Sequence, residues 1–243
     1  MNTTNANKIN LNKKIIISFF VIIFFAIQFY PIIENVSAQT SPQTDNVLVT
    51  LDVTTGITIS NGADVIMSPD LGISANSSIG NSSWIVRTNS VNGYQLSVKA
   101  NTAPALKSAT NSFADYPEAT GTCSDPLQTT KATCEAVPAI WTPTPETWNV
   151  PASTYAFGYS AYGADTTPIG KWGSGSSCGS GGVPLGTLNY AGFTTNNNII
   201  ATSNTVTSTS GATTNICFAA EQKNVYAPSG TYHATIIATA MTL

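Results

Sequence analysis

Histidine is almost missing from this chain: His233 stands alone among 243 residues. A hydrolytic triad needs a base oriented by a third group, so one imidazole leaves little from which to build one. On the strand pattern His233 lies opposite Tyr232 and Ile236, beside Thr231 and Thr235, and reads as a solvated strand histidine. The four cysteines contain no C-x-x-C spacing, which argues against a zinc site. Glycines from Gly173 to Gly182 lack the Lys-Ser/Thr ending of a phosphate loop and open no helix. Carboxylate pairs such as Asp64 with Asp70, or Asp115 with Glu118, sit in polar, turn-rich stretches and read as solubilising charges. They form no calcium-loop signature. The expectation is a protein that is not an enzyme and needs no cofactor.

Charge is scarce as well. Nine Lys and Arg face twelve Asp and Glu. Three of the nine, Lys8, Lys13 and Lys14, precede an apolar run from Ile15 to Tyr30 that Pro31 and Glu34 end. Val36-Ser37-Ala38 then offers the small residues that a signal peptidase reads. Residues 1–38 are accordingly read as an export signal, cleaved to leave Gln39 first. An uncleaved anchor is the alternative, and it requires the run to extend across Pro31 to reach a spanning length of about 20 residues. Without Lys8, Lys13, Lys14 and Glu34, six basic residues remain against eleven acidic ones, a net charge of −5. That balance excludes nucleic acid as a natural partner, because phosphate binding depends on clustered cations. It disfavours polybasic docking to anionic lipid for the same reason, so membrane contact is expected only through an uncleaved signal segment.

What the chain does contain is strand periodicity, with helical periodicity nearly absent after the signal. Val47, Val49, Leu51 and Val53 alternate with Leu48, Thr50 and Asp52, as in a half-buried strand. Ile57 and Ile59 resume the pattern after Gly56. Trp84, Val86 and Thr88 form one run and Tyr94, Leu96 and Val98 another, with Asn92-Gly93 between them, which predicts a hairpin over 83–99. Tyr155, Phe157 and Tyr159 alternate with Ala156, Gly158 and Ser160. Further strands are expected at Ile199–Ser203, Thr205–Thr207, Asn215–Ala220 and Thr231–Thr242, with Tyr232, Ala234, Ile236, Ala238 and Ala240 on one face. Many short strands between turn signals predict an all-β protein, an Ig-like or Greek-key β-sandwich behind the signal helix, with barrel closure as the alternative. Residues 39–243 form its single domain.

Two segments interrupt the pattern. Between Asn101 and Pro151 lie seven prolines, a density that central strands do not tolerate. Residues 101–151 are read as a long surface insertion, held by Cys123 and Cys134 and pinned by Trp141 and Trp148. Residues 171–186 form a Gly/Ser loop that carries Cys178. Four cysteines in an exported chain predict two disulfides among Cys123, Cys134, Cys178 and Cys217. Three connectivities are open. Cys123 with Cys134 closes a short loop and would leave Cys178 with Cys217. Trp141, Trp148, Tyr162 and Trp172 fall in loops, where a row of exposed rings would stack on sugars and folded-back rings would seal a core. Asn76 and Asn81 begin glycosylation sequons in a loop.

The segments Asn92-Gly93-Tyr94-Gln95-Leu96-Ser97-Val98-Lys99-Ala100 and Pro228-Ser229-Gly230-Thr231-Tyr232-His233-Ala234-Thr235-Ile236-Ile237, with Trp84-Ile85-Val86, resemble exported surface β-sandwich proteins of bacteria and archaea. More loosely they are similar to WxL-type wall-binding domains and to spore-coat-U or fimbrial subunits. Trp84 is followed by Ile85-Val86 where the WxL pattern has x-Leu. The resemblance covers about a tenth of the chain and implies a surface or filament-associated structural role.

The expected function is therefore a secreted, cell-surface structural or adhesive protein. Its partners are copies of itself or other surface proteins. Val47, Val49, Leu51 and Val53 are the candidate donor strand for assembly by strand addition. A carbohydrate-binding module using the loop tryptophans is one alternative. A type IV pilin-like subunit is another, although Lys14 stands before Ile15 where such proteins carry a small residue.

Overall fold

The computed structural model describes residues 47–60, 62–116, 120–166 and 170–243. The chain divides after Leu51. The unit from Asp52 to Leu243 holds every described strand, and of the unit before it only residues 47–51 are described. The expected signal at 1–38, with the Lys14–Ile15 junction of the pilin-like alternative, lies outside the described residues.

In chain order the strands begin with β1 (Ile57–Ile59), β2 (Ser77–Thr88), β3 (Tyr94–Ala100), β4 (Ala114–Asp115) and β5 (Gly121–Cys123). One short helix, α1 (Lys131–Glu135), precedes β6 (Trp141–Pro143), β7 (Glu146–Thr147) and β8 (Thr154–Gly163). The chain ends with β9 (Gly179–Ser180), β10 (Val183–Pro184), β11 (Asn189–Tyr190), β12 (Asn198–Ser203), β13 (Ala212–Lys223) and β14 (Ile236–Thr242). Two sheets dominate: a five-stranded one in the order β1-β2-β13-β8-β4, and a three-stranded one in the order β12-β3-β14. Apart from β1 and β2, hydrogen-bonded neighbours in these sheets are not consecutive strands, so the chain repeatedly crosses between sheets. Trp84, Val86, Phe157, Tyr159, Ile216 and Phe218 from the first sheet share one buried core with Tyr94, Leu96, Val98 and Ile200 from the second. The protein is an all-β sandwich.

The expected hairpin over 83–99 is absent. Strand β2 pairs with β1 and β13, whereas β3 pairs with β12 and β14, so residues 89–93 carry the chain from one sheet to the other. Both runs do bury their alternate residues, but against each other across the core instead of side by side. Gly93 ends the crossing at φ +81°, and a Cβ there would collide with the carbonyl oxygen of Ser203. Gly93→Ala is expected to destabilise the fold by about 1–3 kcal/mol through backbone strain alone, measurable as a drop in urea midpoint. An unchanged midpoint would show that the crossing can re-form.

Other boundaries shift too. Residues 205–207 form no strand; Thr207 instead exchanges hydrogen bonds with Thr88, its N–H donating to the Thr88 carbonyl at 3.1 Å. Strand β14 starts only at Ile236, and upstream of it His233 pairs with Lys107 in an isolated bridge. Residues 47–53 form no strand at all.

Strands β8 and β13 are buried on both faces, which alternation alone did not indicate. Their outward residues Ala156, Cys217 and Ala219 lie in a second cluster with Tyr116, Val150, Leu188 and Tyr190. The Pro-rich insertion and the chain after the Gly/Ser loop supply these covering side chains, so both segments pack on the sandwich. The small residues make the cover possible: a Cβ at Gly158 would sit 2.6 Å from the Tyr116 Cβ.

Part of the insertion is a small module of its own. Strands β5 and β6 pair antiparallel, Cys123 bridges to Cys134 of α1, and Trp141 lies against Gly121, where a Cβ would sit 2.5 Å from the indole. Thr130 caps α1 in a reciprocal box with Thr133. Neither Trp141 nor Cys134 belongs to the two main clusters.

Candidate functional site

Among the described residues, the N-terminal segment holds a run of exposed apolar side chains. Val47, Val49, Leu51 and Val53 are 82%, 84%, 83% and 76% exposed, and Leu48 between them is exposed as well. Their alternation is that of a strand, yet they are paired with nothing among the described residues. The half-buried strand expected here is corrected: the pattern is present and the burial is not. Immediately downstream the backbone is fastened to the end of β2. Asn89 Nδ2 donates to the Thr54 carbonyl at 2.8 Å, the Gly56 N–H donates to Asn89 Oδ1 at 2.7 Å, and Thr88 Oγ1 donates to the Gly56 carbonyl at 2.8 Å.

The candidate stacking residues do not form a platform. Trp141 and Trp172 are only 3% and 2% exposed. Trp148 is half-buried, stacked on Tyr116 at 4.3 Å with its edge to Tyr190, and its Nε1–H donates to Glu221 at 2.6 Å. Tyr162 packs beside the second cluster. These rings spend their faces inside the protein, which corrects the reading of Trp141, Trp148, Trp172 and Tyr162 as an exposed sugar-stacking row.

Around Trp172 a hydrogen-bonded chain joins three segments. Lys171 Nζ donates to Asn198 Oδ1 at 2.9 Å and to the Ile199 carbonyl at 3.2 Å, and lies 4.8 Å above the Trp172 ring. Asn198 Nδ2 donates to the Tyr159 hydroxyl at 2.7 Å. Burial pulls the Lys171 amine down to about 8 and raises the Tyr159 phenol. With no carboxylate bonded to Lys171 among the described residues, this arrangement ties the Gly/Ser loop to β12 and β8 as a structural lock.

The cysteines form two bridges, Cys123–Cys134 and Cys178–Cys217, with Cα separations of 5.7 and 5.3 Å. Two disulfides fit an oxidising extracellular or periplasmic setting. Asn76 is exposed just before β2, whereas Asn81 lies within β2 opposite Cys217, so the second sequon is on a strand and not in a loop. His233 is exposed and lines a shallow depression of about 220 Å³ with Asn101, Lys107 and Thr235. Asp64 and Asp70 are exposed, but Asp115 is buried and accepts the Ala105 N–H at 3.0 Å, so it is a structural group and not a solubilising one. Among the described residues no three His, Cys, Asp or Glu side chains converge as for a metal ion, and no helix is long and apolar enough to cross a membrane.

Sequence reasoning missed the aromatic cover over β8 and β13, although the small Ala156, Gly158 and Ser160 opposite a Tyr/Phe row were its signal. Comparison of the chain with protein-family models, with curated proteins and with solved structures returned no match.

Proposed function

We propose that this chain is an exported cell-surface structural protein, adhesive or filament-forming, whose subunits assemble by strand addition. The observation that carries the reading is the exposed, alternating segment Val47–Val53 ahead of a folded sandwich. Covering Val47, Val49, Leu51 and Val53 would contribute about 1.5–3 kcal/mol each, or roughly 6–12 kcal/mol together. Association costs on the order of 4–15 kcal/mol, so apolar burial alone is marginal and the backbone ladder of an added strand has to supply the remainder. The backbone N–H and C=O groups of 47–53, which form no ladder among the described residues, supply it. A soluble monomer has no reason to keep such a row in water, where it invites aggregation. Two disulfides and the signal-like N-terminus support work outside the cytosol.

The test is self-association of the processed chain by sedimentation velocity. The wild type should form concentration-dependent oligomers, and Val49→Asp with Leu51→Asp should abolish them while the thermal midpoint stays put, because both side chains are exposed. A wild-type protein that remains monomeric, or a double variant that assembles normally, would overturn the reading.

A further inference from the structure

We infer that the acceptor for residues 47–53 is the free edge of β14, at the seam beside β1, on a second copy of this chain; this rests on the strand-addition reading above. Strand β14 pairs with β3 in unbroken register from Ile236↔Ala100 to Thr242↔Tyr94, and among the described residues it has no partner on its other side. Antiparallel pairs alternate between residues that bond each other and residues that point away. The Leu243 N–H donates to the Gly93 carbonyl, and the Asn101 N–H to the Thr235 carbonyl. Odd-numbered residues of β14 therefore face β3. Ile236, Ala238, Ala240 and Thr242 aim their N–H and C=O groups outward.

The edge is also undefended. Proteins blunt long edge strands with charge, proline, bulges or a covering loop. Strand β14 has the sequence Ile-Ile-Ala-Thr-Ala-Met-Thr, with no charge, no proline and no register shift. The opposite edge of the same sheet, β12, is blunted by a bulge and by covering contacts. It has a register shift between Ile199 and Ala201, the Thr202 N–H donates to the Asp165 carbonyl, Lys171 reaches the Ile199 carbonyl, and Thr166 bridges Ala201. One edge of this sheet is sealed and the other is left open.

The seam is apolar. The core-facing residues Ile236, Ala238 and Ala240 are only partly buried, although their ladder partners Ala100, Val98 and Leu96 are fully buried. Ile57 and Ile59 of β1, which lies alongside β14 on the facing sheet, are equally incomplete. Small Ala238 and Ala240 leave room for larger neighbours. The segment 47–53 matches β14 residue for residue in length, and places three valines and a leucine on one face. Every copy carries both the segment 47–53 and an open β14 edge, so each copy can donate to the next in a head-to-tail chain.

The test mixes two full-length processed variants. Val49→Asp with Leu51→Asp breaks the donor and leaves the edge intact. Ala238→Pro removes an outward N–H without touching the β3 ladder, which breaks the acceptor and leaves the donor intact; Ala240→Lys does the same with an inward charge. Each variant alone should be monomeric, with at least a tenfold loss of association constant, and the equimolar mixture should stop at a dimer while the wild type forms longer chains. Native circular dichroism of either acceptor variant certifies its fold. If the wild type assembles and both acceptor variants assemble like it, β14 is not the acceptor although donation stands. If the wild type is monomeric, the underlying reading fails first.

Discussion

Replacing Cys178 and Cys217 together with alanine is expected to lower the thermal midpoint by roughly 8–16 °C. Their bridge spans 39 residues, from the Gly/Ser loop to the centre of β13. The loop-entropy relation gives about 4 kcal/mol for a closure of that length, and a domain of this size loses about 2–4 °C per kcal/mol. Location adds to length. Cys217 is fully buried on the outward face of the central strand, within the cluster that holds Tyr116 and Tyr190 against the sheet. Removing the bridge therefore frees the loop and thins the cluster at once. The Cys123–Cys134 pair closes only 11 residues inside the small module around Trp141, which shares neither main core. Its removal should loosen that module locally and leave the main transition nearly where it was. Calorimetry of the two double variants separates the cases, and equal shifts would show that the module and the sandwich unfold as one.

The contrast explains what the sequence could and could not disclose. Alternation marked the inward rows of β2, β3, β8 and β14 correctly, because each of those strands buries one face in the common core. It could not say which strand pairs with which. Asn92-Gly93 supplied the positive φ that a hairpin needs, and the chain used it for a crossing between sheets, since both events demand the same backbone. Burial of a second face was equally hidden. Ala156, Gly158 and Ser160 look solvent-compatible when read locally, and become core only because Tyr116, Trp148 and Tyr190 arrive from other segments of the chain. The N-terminal segment shows the reverse error. Val47–Val53 has a flawless strand pattern, and the structure leaves it uncovered. A pattern records what a segment can bury, without recording whether the covering surface belongs to the same molecule.

Tyrosines dominate the expected response to alkali. Tyr94, Tyr116, Tyr159 and Tyr190 are all buried, and burial raises every one of their phenols, those of Tyr116 and Tyr190 to about 12. In the unfolded chain a tyrosine releases its proton near pH 10. Between that value and about 12 the unfolded state therefore holds fewer protons than the folded one, and stability must fall as pH rises. Below the unfolded value the contribution is complete; it is lost progressively on passing upward through the folded values. A rise of that size corresponds to a few kcal/mol per residue, so Tyr116 and Tyr190 together withdraw on the order of 5 kcal/mol, with Tyr94 and Tyr159 adding in the same direction. That is comparable to the whole stability of many domains. The protein should hold its fold to about pH 10 and then unfold cooperatively. Tyrosinate absorbance and loss of the β-type circular dichroism should rise together, because these phenols cannot ionise while Tyr116 still donates to the Thr147 carbonyl at 2.6 Å and Tyr94 to Asp165 at 2.9 Å. Smooth ionisation of Tyr116 and Tyr190 near pH 10, with the fold intact, would mean that water reaches these rings and that the second cluster does not seal the outer face of β8 and β13.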